Sequence, residues 1–353
     1  MAYKDRMLSC MLKEVELRKD FFDENILDSI YFGGGTPSVL EISEIKELVN
    51  IIKLYYRLKP DCEITFEVNP DDIFPAYLEG LLEQGVNRLS IGIQSFFQKD
   101  LEYMNRSHTA DQNRDALENI QKAGFRDFSL DLIYGGHTTT NKMWEQNIET
   151  ALSYTPNHIS AYCMTIEPKT VFGSWNKIDK LEDINEEKAN EQFNYLTKRL
   201  NDAGYIHYEI SNFALQGHLA THNSNYWKRK PYLGLGPSAH SFLKEVRTWN
   251  IANNGIYMNM LEHNKLPITE EKLSFLDQYN EYIMTGLRTI WGIDLNDLKN
   301  TFGEMLYAET LLKTKDKVIK DFITFNDQII TLSKEGKMFA DTVAAHFFVI
   351  DND

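Results

Sequence analysis

Short β-prone runs and amphipathic helical windows take turns along the first 215 or so residues, and that alternation restricts the fold more than any other feature. The strand-like runs are SIYFGG (29–34), EITFEV (63–68), RLSIGI (88–93), FSLDLI (128–133), HISAYC (158–163) and IHYEIS (206–211). Each is rich in large apolar or aromatic residues and is followed by Gly, Pro or polar residues. Between them, residues 42–56 place Ile42, Ile45, Leu48, Val49 and Ile52 at helical spacing. The window 111–123 opens on Asp111 as an N-cap and closes at Gly124, and 184–203 closes the same way at Gly204. A strand–helix repeat implies parallel strands joined by right-handed crossovers, in an open doubly wound sheet or a barrel. After about residue 215 the pattern changes. Residues 215–240 are irregular and rich in glycine and aromatics, and 270–353 reads as helices with one strand pair in FITFNDQIITLS. The expectation is an α/β chain with a barrel-type domain over 1–215 and a smaller, mostly helical domain over 216–353.

Composition excludes several function classes. The chain has 353 residues, enough for a full core, with 37 basic against 52 acidic side chains and a net charge of −15. Such a surface repels phosphate backbones, so nucleic acid is not an expected partner. No window resembles a membrane span, and MAYKDRMLSCMLKEVELRKD lacks a signal peptide's apolar core. Cys10, Cys62 and Cys163 are scattered and read as reduced thiols, which points to the cytoplasm.

Ligands of parallel α/β folds sit at the carboxyl ends of the strands. Those ends carry Gly33, Gly34, Gly35 and Thr36, then Glu67 and Asn69, then Gln94 and Ser95, with Arg106 after a short helix and Asp131 in the fourth strand. Backbone N–H groups, two carboxylates, an amide and a guanidinium suit a ligand with an amino group, a carboxylate and sugar hydroxyls. Read singly, Glu67 is equally a helix-capping carboxylate and Arg106 a surface ion-pair partner.

The ordered set YFGGGTP, FEVNP, IGIQSF, NRSH and DLIYG resembles the radical S-adenosylmethionine superfamily. GYIHYEISNFA, HNSNYW and YLGLGPSAHSF narrow the resemblance to heme chaperones related to oxygen-independent coproporphyrinogen III oxidase. The likeness runs from about residue 4 to LSKEGKMFADTVAAHFF near the C-terminus. It implies a partial (β/α)6 barrel of parallel strands, its first strand missing, and a C-terminal helical domain. It also implies S-adenosylmethionine, heme and a [4Fe–4S] cluster as cofactors, and heme-accepting apoproteins as partners, with peripheral membrane association left open. Carried over by position, Gly34, Gly35 and Thr36 would hold the methionyl end, Arg106 its carboxylate, and Glu67, Gln94 and Asp131 the ribose. Thr165 would lie near the adenine. HNSNYW (222–227) matches a heme signature with His222 as axial ligand to the iron, and coproporphyrinogen oxidases proper lack it.

Two departures accompany the resemblance. The family's cluster requires C-x3-C-x2-C, because soft thiolates hold iron–sulfur clusters, and the three cysteines here stand at unrelated positions. A sequence that starts late, at an internal methionine, is the expected explanation; natural loss of the cluster is the other. Second, DLIYG is followed by Gly136-His137-Thr138 where the family has Leu or Ile, Pro and Gly. Heme binding and delivery is the expected function. The alternatives are oxidative decarboxylation of coproporphyrinogen III, which needs the cluster, and a cluster-less fragment without activity. Among the other histidines, His207 and His240 are the candidates for a second axial position.

Overall fold

The computed structural model describes residues 2–166, 177 and 183–350. Two compact units divide the chain. One comprises Ile30–Ile42 and Glu63–Ala220; the other comprises Met1–Ser29, Ser43–Cys62 and Thr221–Asp353. The cut at Ala220/Thr221 lies near the expected 215/216 boundary. The N-terminal helix and residues 43–62, however, go with the C-terminal part.

In chain order the elements are helix α1 (Ala2–Leu17), strand β1 (Ile26–Phe32), α2 (Ile42–Tyr55), β2 (Arg57–Val68), α3 (Pro75–Glu83) and β3 (Arg88–Gln94). Next come α4 (Gln98–Tyr103), α5 (Ala110–Ala123), β4 (Phe128–Tyr134), α6 (Asn141–Ser153), β5 (His158–Cys163) and α7 (Glu186–Asp202). A hairpin of β6 (Ile206–Glu209) and β7 (Asn212–Ala214) closes the series. The seven strands form one sheet in the order β1-β2-β3-β4-β5-β7-β6, with β2 through β5 mutually parallel. This is the expected α/β partial barrel of mainly parallel strands, and β1 is its edge.

The sixth run departs from expectation. IHYEIS is not one strand: the chain reverses after Glu209, and β7 enters the sheet antiparallel to β5. The Glu209 carboxylate holds the reversal by accepting from the backbone N–H of Ser211 (3.1 Å) and the side chain of Asn212 (2.5 Å). Helix α5 also starts earlier than Asp111. Thr109 is its N-cap, in a reciprocal capping box with Gln112, and Asp111 lies in the first turn. Gly124 closes this helix with φ of +88°, and Gly204 follows α7 with φ of +86°, where a left-handed residue is needed.

Side chains alternate across a strand, and the register turns that alternation into rows. Phe66, Leu89, Phe128, Leu130, Ile91 and Ile159 are buried along one face. On the other, Glu67 pairs with Ser90, Ser90 with Ser129, Asp131 with Ser160, and Ser160 with Asn212. The sheet therefore packs a hydrocarbon core against its helices and gathers polar groups on its other face.

The second unit adds α8 (Thr221–Trp227), α9 (Asn254–Glu262), α10 (Phe275–Leu287), α11 (Leu295–Lys313) and α12 (Ala340–Phe347). A three-stranded sheet of β8 (His240–Leu243), β9 (Val246–Asn250) and β10 (Ile268–Lys272) was not expected from sequence. The expected pair in FITFNDQIITLS is β12 (Ile323–Asn326) with β13 (Ile329–Leu332), antiparallel and extended by β11 (Ile293–Asp294). In this unit α1 packs on α9 through Cys10, Tyr257, Met258 and Leu261. Beside that cluster the fully buried Glu14 accepts from Asn250 Nδ2 (2.7 Å), Gly236 N–H (2.8 Å) and Tyr257 O–H (2.6 Å).

Candidate functional site

The glycine corner after β1 is dictated by space. A Cβ on Gly33 would lie 2.3 Å from the Tyr31 ring and 2.6 Å from Glu67 Oε1. Gly34 has φ of +84°, and its N–H donates to Glu67 Oε2 at 3.2 Å. The Tyr31 hydroxyl donates to the other oxygen, Oε1, at 2.6 Å. Glu67 is thus held at both oxygens against the loop, while Gly34, Gly35 and Thr36 are exposed.

Around Glu67 the polar face converges. Asp131 accepts from the Ser90 hydroxyl at 3.2 Å. Burial pushes its carboxyl up to about 7; hydrogen bonds from Ser160 and Ser90 oppose that rise, Glu67 adds to it, and Arg106 opposes it. Arg106 is lowered by burial, and Asp131 is the charge that opposes this. The Tyr31 and Tyr162 hydroxyls are both raised, first by burial and then by the charges of Glu67 and Asp131. Glu67 and Arg106 therefore both act electrostatically on Asp131. Behind Asp131 runs a buried chain: Ser160 Oγ to Ser129 Oγ (3.3 Å), Ser129 Oγ to His158 Nδ1 (2.8 Å), and His158 Nε2 to Tyr208 O–H (2.8 Å). Burial holds His158 neutral.

Gln94 ends β3 with φ of +63° and a buried side chain. Its Nε2 lies 2.9 Å from where a Cβ on Gly92 would stand, and Asn69 Oδ1 lies 3.9 Å from the same point. The amide thus folds back over Gly92 on the polar face. Thr165 is exposed just past β5, placed there by the strand alone. The unusual GGHTT loop is well tied. Thr138 donates to Asp100 Oδ1 (2.6 Å), Lys188 Nζ to Gly136 O (2.7 Å), and Tyr103 O–H shares a hydrogen bond with His137 Nδ1 (2.9 Å). Sequence reasoning missed Tyr31, Ser90, Ser160 and Tyr162; the available signal was the period-two position each shares with Glu67 or Asp131.

His222 lies in the other unit, on α8. Its Nδ1 is 2.9 Å from Ser29 Oγ and its Nε2 is 3.2 Å from the Tyr226 hydroxyl. Burial lowers its pKa to about 4, so the ring is neutral at physiological pH. A neutral ring that donates from Nδ1 to Ser29 leaves Nε2 as the lone-pair nitrogen, the form that binds a metal. Tyr226, half exposed, crosses the His222 ring edge-on at 5.0 Å and stands 4.5 Å from Tyr232, giving aromatic surface beside that nitrogen. The donor set fits one axial bond to iron. His240, in the same unit, is exposed and stacks on Trp249. His207 is a core residue of the barrel unit, stacked on Phe213 at 4.1 Å with Nε2 on the carbonyl of Ile210.

The polar face fits S-adenosylmethionine: it offers a close-approach glycine loop, an exposed guanidinium and two carboxylates. The cysteines present do not fit a cluster. Cys10 packs against Met258 and Leu261, Cys62 is buried in β2, and Cys163 stands beside Gly135. Among the described residues no group of three or more His, Cys, Asp or Glu is placed to hold a metal ion. Among them, too, no helix is long and apolar enough to cross a membrane.

Comparison with known proteins extends these observations. The Radical SAM superfamily model matches residues 12–151, and the HemN C-terminal domain model matches residues 273–339. The chain is 32% identical over 334 residues to the heme chaperone HemW of Lactococcus lactis subsp. lactis, spanning 94% of this chain and 87% of that protein. It is 32% identical over 323 residues to HemW of Bacillus subtilis, spanning 91% and 85%. Among solved structures, the Escherichia coli coproporphyrinogen III oxidase HemN, described as a radical SAM enzyme, matches with a TM-score of 0.83. That match covers 98% of this chain and 83% of HemN at 19% identity, which is a likeness of fold.

Proposed function

Because the chain belongs to the HemW family of radical S-adenosylmethionine proteins, we propose that it binds heme and passes it to heme-accepting apoproteins. The observation that carries this reading is His222: a neutral imidazole oriented by Ser29, with Nε2 turned toward exposed aromatic surface. In this reading Nε2 ligates the iron of the cargo, the Tyr226 hydroxyl gives way to it, and Tyr226 and Tyr232 flank the macrocycle. A carrier that must release its cargo is served by an exposed site with one protein ligand.

The barrel mouth, in the same reading, binds S-adenosylmethionine, whose sulfonium activates the attached adenosyl group. Gly34, Gly35 and Thr36 take the methionyl end and Arg106 its carboxylate. Glu67, Gln94 and Asp131 accept or donate at the ribose, and Thr165 stands on the adenine side. The relatives' names favour this reading over coproporphyrinogen oxidation, since the likeness to HemN rests on fold. Purified protein titrated with hemin should develop a Soret shift that saturates at one heme per chain. His222→Ala should lose the shift and Ser29→Ala should weaken it severalfold. An unchanged spectrum in His222→Ala would rule out this ligand.

A further inference from the structure

Gln94 occupies a backbone conformation that a glutamine does not adopt unaided. Its φ is +63°, and the N–H of Ser95 donates to the carbonyl of Ile93 at 2.7 Å, closing a three-residue turn around it. A γ-turn with positive φ is the rare, strained form. Strain of this kind persists only where the surroundings over-determine it, and it clusters at ligand sites. The surroundings here can be named. Asn113, on α5 and fully buried, directs both hydrogens of its amide at the turn. Nδ2 donates to Ile93 O at 3.1 Å and to Ser95 O at 2.9 Å, the two carbonyls that flank Gln94. The turn's far side is fixed by Asn147 Oδ1, which accepts from Phe96 N–H at 2.7 Å, and by Asp100, which accepts from Ser95 Oγ at 2.8 Å.

We propose that Asn113 is a positioning residue for the barrel mouth: by stapling the carbonyls on both sides of Gln94 it holds the strained turn that lays the glutamine amide over Gly92. The proposal rests on the reading of that mouth as a nucleoside site. Asn113 donates to backbone alone, so it acts through Gln94. The planar amide of Asn113 presents both N–H bonds of one nitrogen to the two carbonyls. Aspartate would place oxygens against carbonyls, leucine supplies no donor, and serine reaches one carbonyl at most.

Two measurements on the full chain test this. The first is amide hydrogen exchange, which needs no ligand. Asn113→Ala should speed exchange of the Ser95 N–H at least tenfold and leave the β4 amides as they were, with Asn113→Ser intermediate; unchanged Ser95 exchange overturns the proposal. The second is equilibrium dialysis with labelled S-adenosylmethionine. Gln94→Ala and Asn113→Ala should each lose about tenfold in affinity, the worth of one hydrogen bond of about 1.4 kcal/mol. The double variant should lose no more than either single one, since both remove one interaction. Additive losses, or loss in Gln94→Ala with none in Asn113→Ala, overturn the role of Asn113 alone. No binding by the unaltered chain, or equal binding by Gln94→Ala, overturns the nucleoside reading itself. Hemin uptake should be the same in all variants, because His222 lies in the other unit.

Discussion

Replacing Asp131 with asparagine should flatten how the stability of this chain depends on pH. Asp131 is raised from 3.8 to about 7, chiefly by burial. Its neighbours are mixed: Ser90, Ser160 and Arg106 favour the charged form, while Glu67 opposes it. The folded chain therefore binds this proton more tightly than the unfolded chain does. That contribution to stability is complete below about pH 4 and is lost as pH rises through 7, the reverse of a salt-bridged carboxylate. Integrated between pH 5 and pH 8, the loss is about 2–3 kcal/mol. An amide has no proton to lose in this range, so Asp131→Asn should lack this part of the decline, whatever the other groups contribute to both chains. Urea unfolding at pH 5, 6, 7 and 8 measures it. The two stability curves should converge toward acid and separate toward alkali, with the variant above. Parallel curves would mean that Asp131 is ionised throughout and that the polar face is wetter than its burial implies. In the proposed role of Asp131 at the ribose, the same titration should govern the ligand, because the carboxylate is a stronger acceptor for hydroxyl donors than the protonated acid. Affinity for S-adenosylmethionine should climb through pH 7 in the unaltered chain and stay flat in the variant.

Three further outcomes can be checked with ordinary means. Glu14→Ala strands three donors around a buried carboxylate position and leaves Arg18 without its partner, and should cost about 3–5 kcal/mol in urea unfolding. Gly33→Ala drives a methyl into Tyr31 and Glu67, so it should abolish S-adenosylmethionine binding while leaving the hemin spectrum as it was. His222 has a folded pKa lowered from 6.5 to about 4. Its contribution of about 3 kcal/mol is present above pH 6.5 and is lost as pH falls toward 4, so His222→Gln should resist acid better than the unaltered chain, as read by circular dichroism.

How far the sequence reached depended on whether the relevant signal was local. The strands β1 to β5 were legible because apolar rows packing under helices impose their own period. Glu67 and Asp131 stood out as candidates only in company: a lone strand-end carboxylate is equally a helix cap, and Asp131 is a carboxylate in the middle of the mainly apolar β4 run. The reversal after Glu209 was not, since IHYEISNFA is continuously β-prone and what breaks it is one side chain reaching two later N–H donors. β10 was missed for another reason: ITEEK is exposed along its whole length, so no alternation marks it. The start of α5 could have been read correctly. Thr109 and Asp111 are both good caps, but only Thr109 has a glutamine three residues later to complete the box. Asn113 lies beyond this kind of reading, because its role exists only once α5 has packed beneath the end of β3.

The physical logic of the barrel unit is a division of labour between the two faces of one sheet. The face toward the helices is filled by fully buried residues such as Leu89, Ile91, Leu130 and Ile159, where each large side chain adds about 1.5–3 kcal/mol. The other face spends part of that gain on three features which a stability-optimised sheet would not keep. They are a carboxyl displaced to about 7, a glutamine with φ of +63°, and a glycine whose replacement has no room. Each costs stability by a different mechanism, namely desolvation, backbone strain and chain entropy, yet all three fall on the same polar face. Strain is not confined to this face, since Asn105 and Thr155 also have positive φ and a Cβ on Gly80 would meet Ile42. What sets the polar face apart is that a displaced carboxyl, a strained glutamine and a crowded glycine meet there together, a combination that accords with the proposed ligand site.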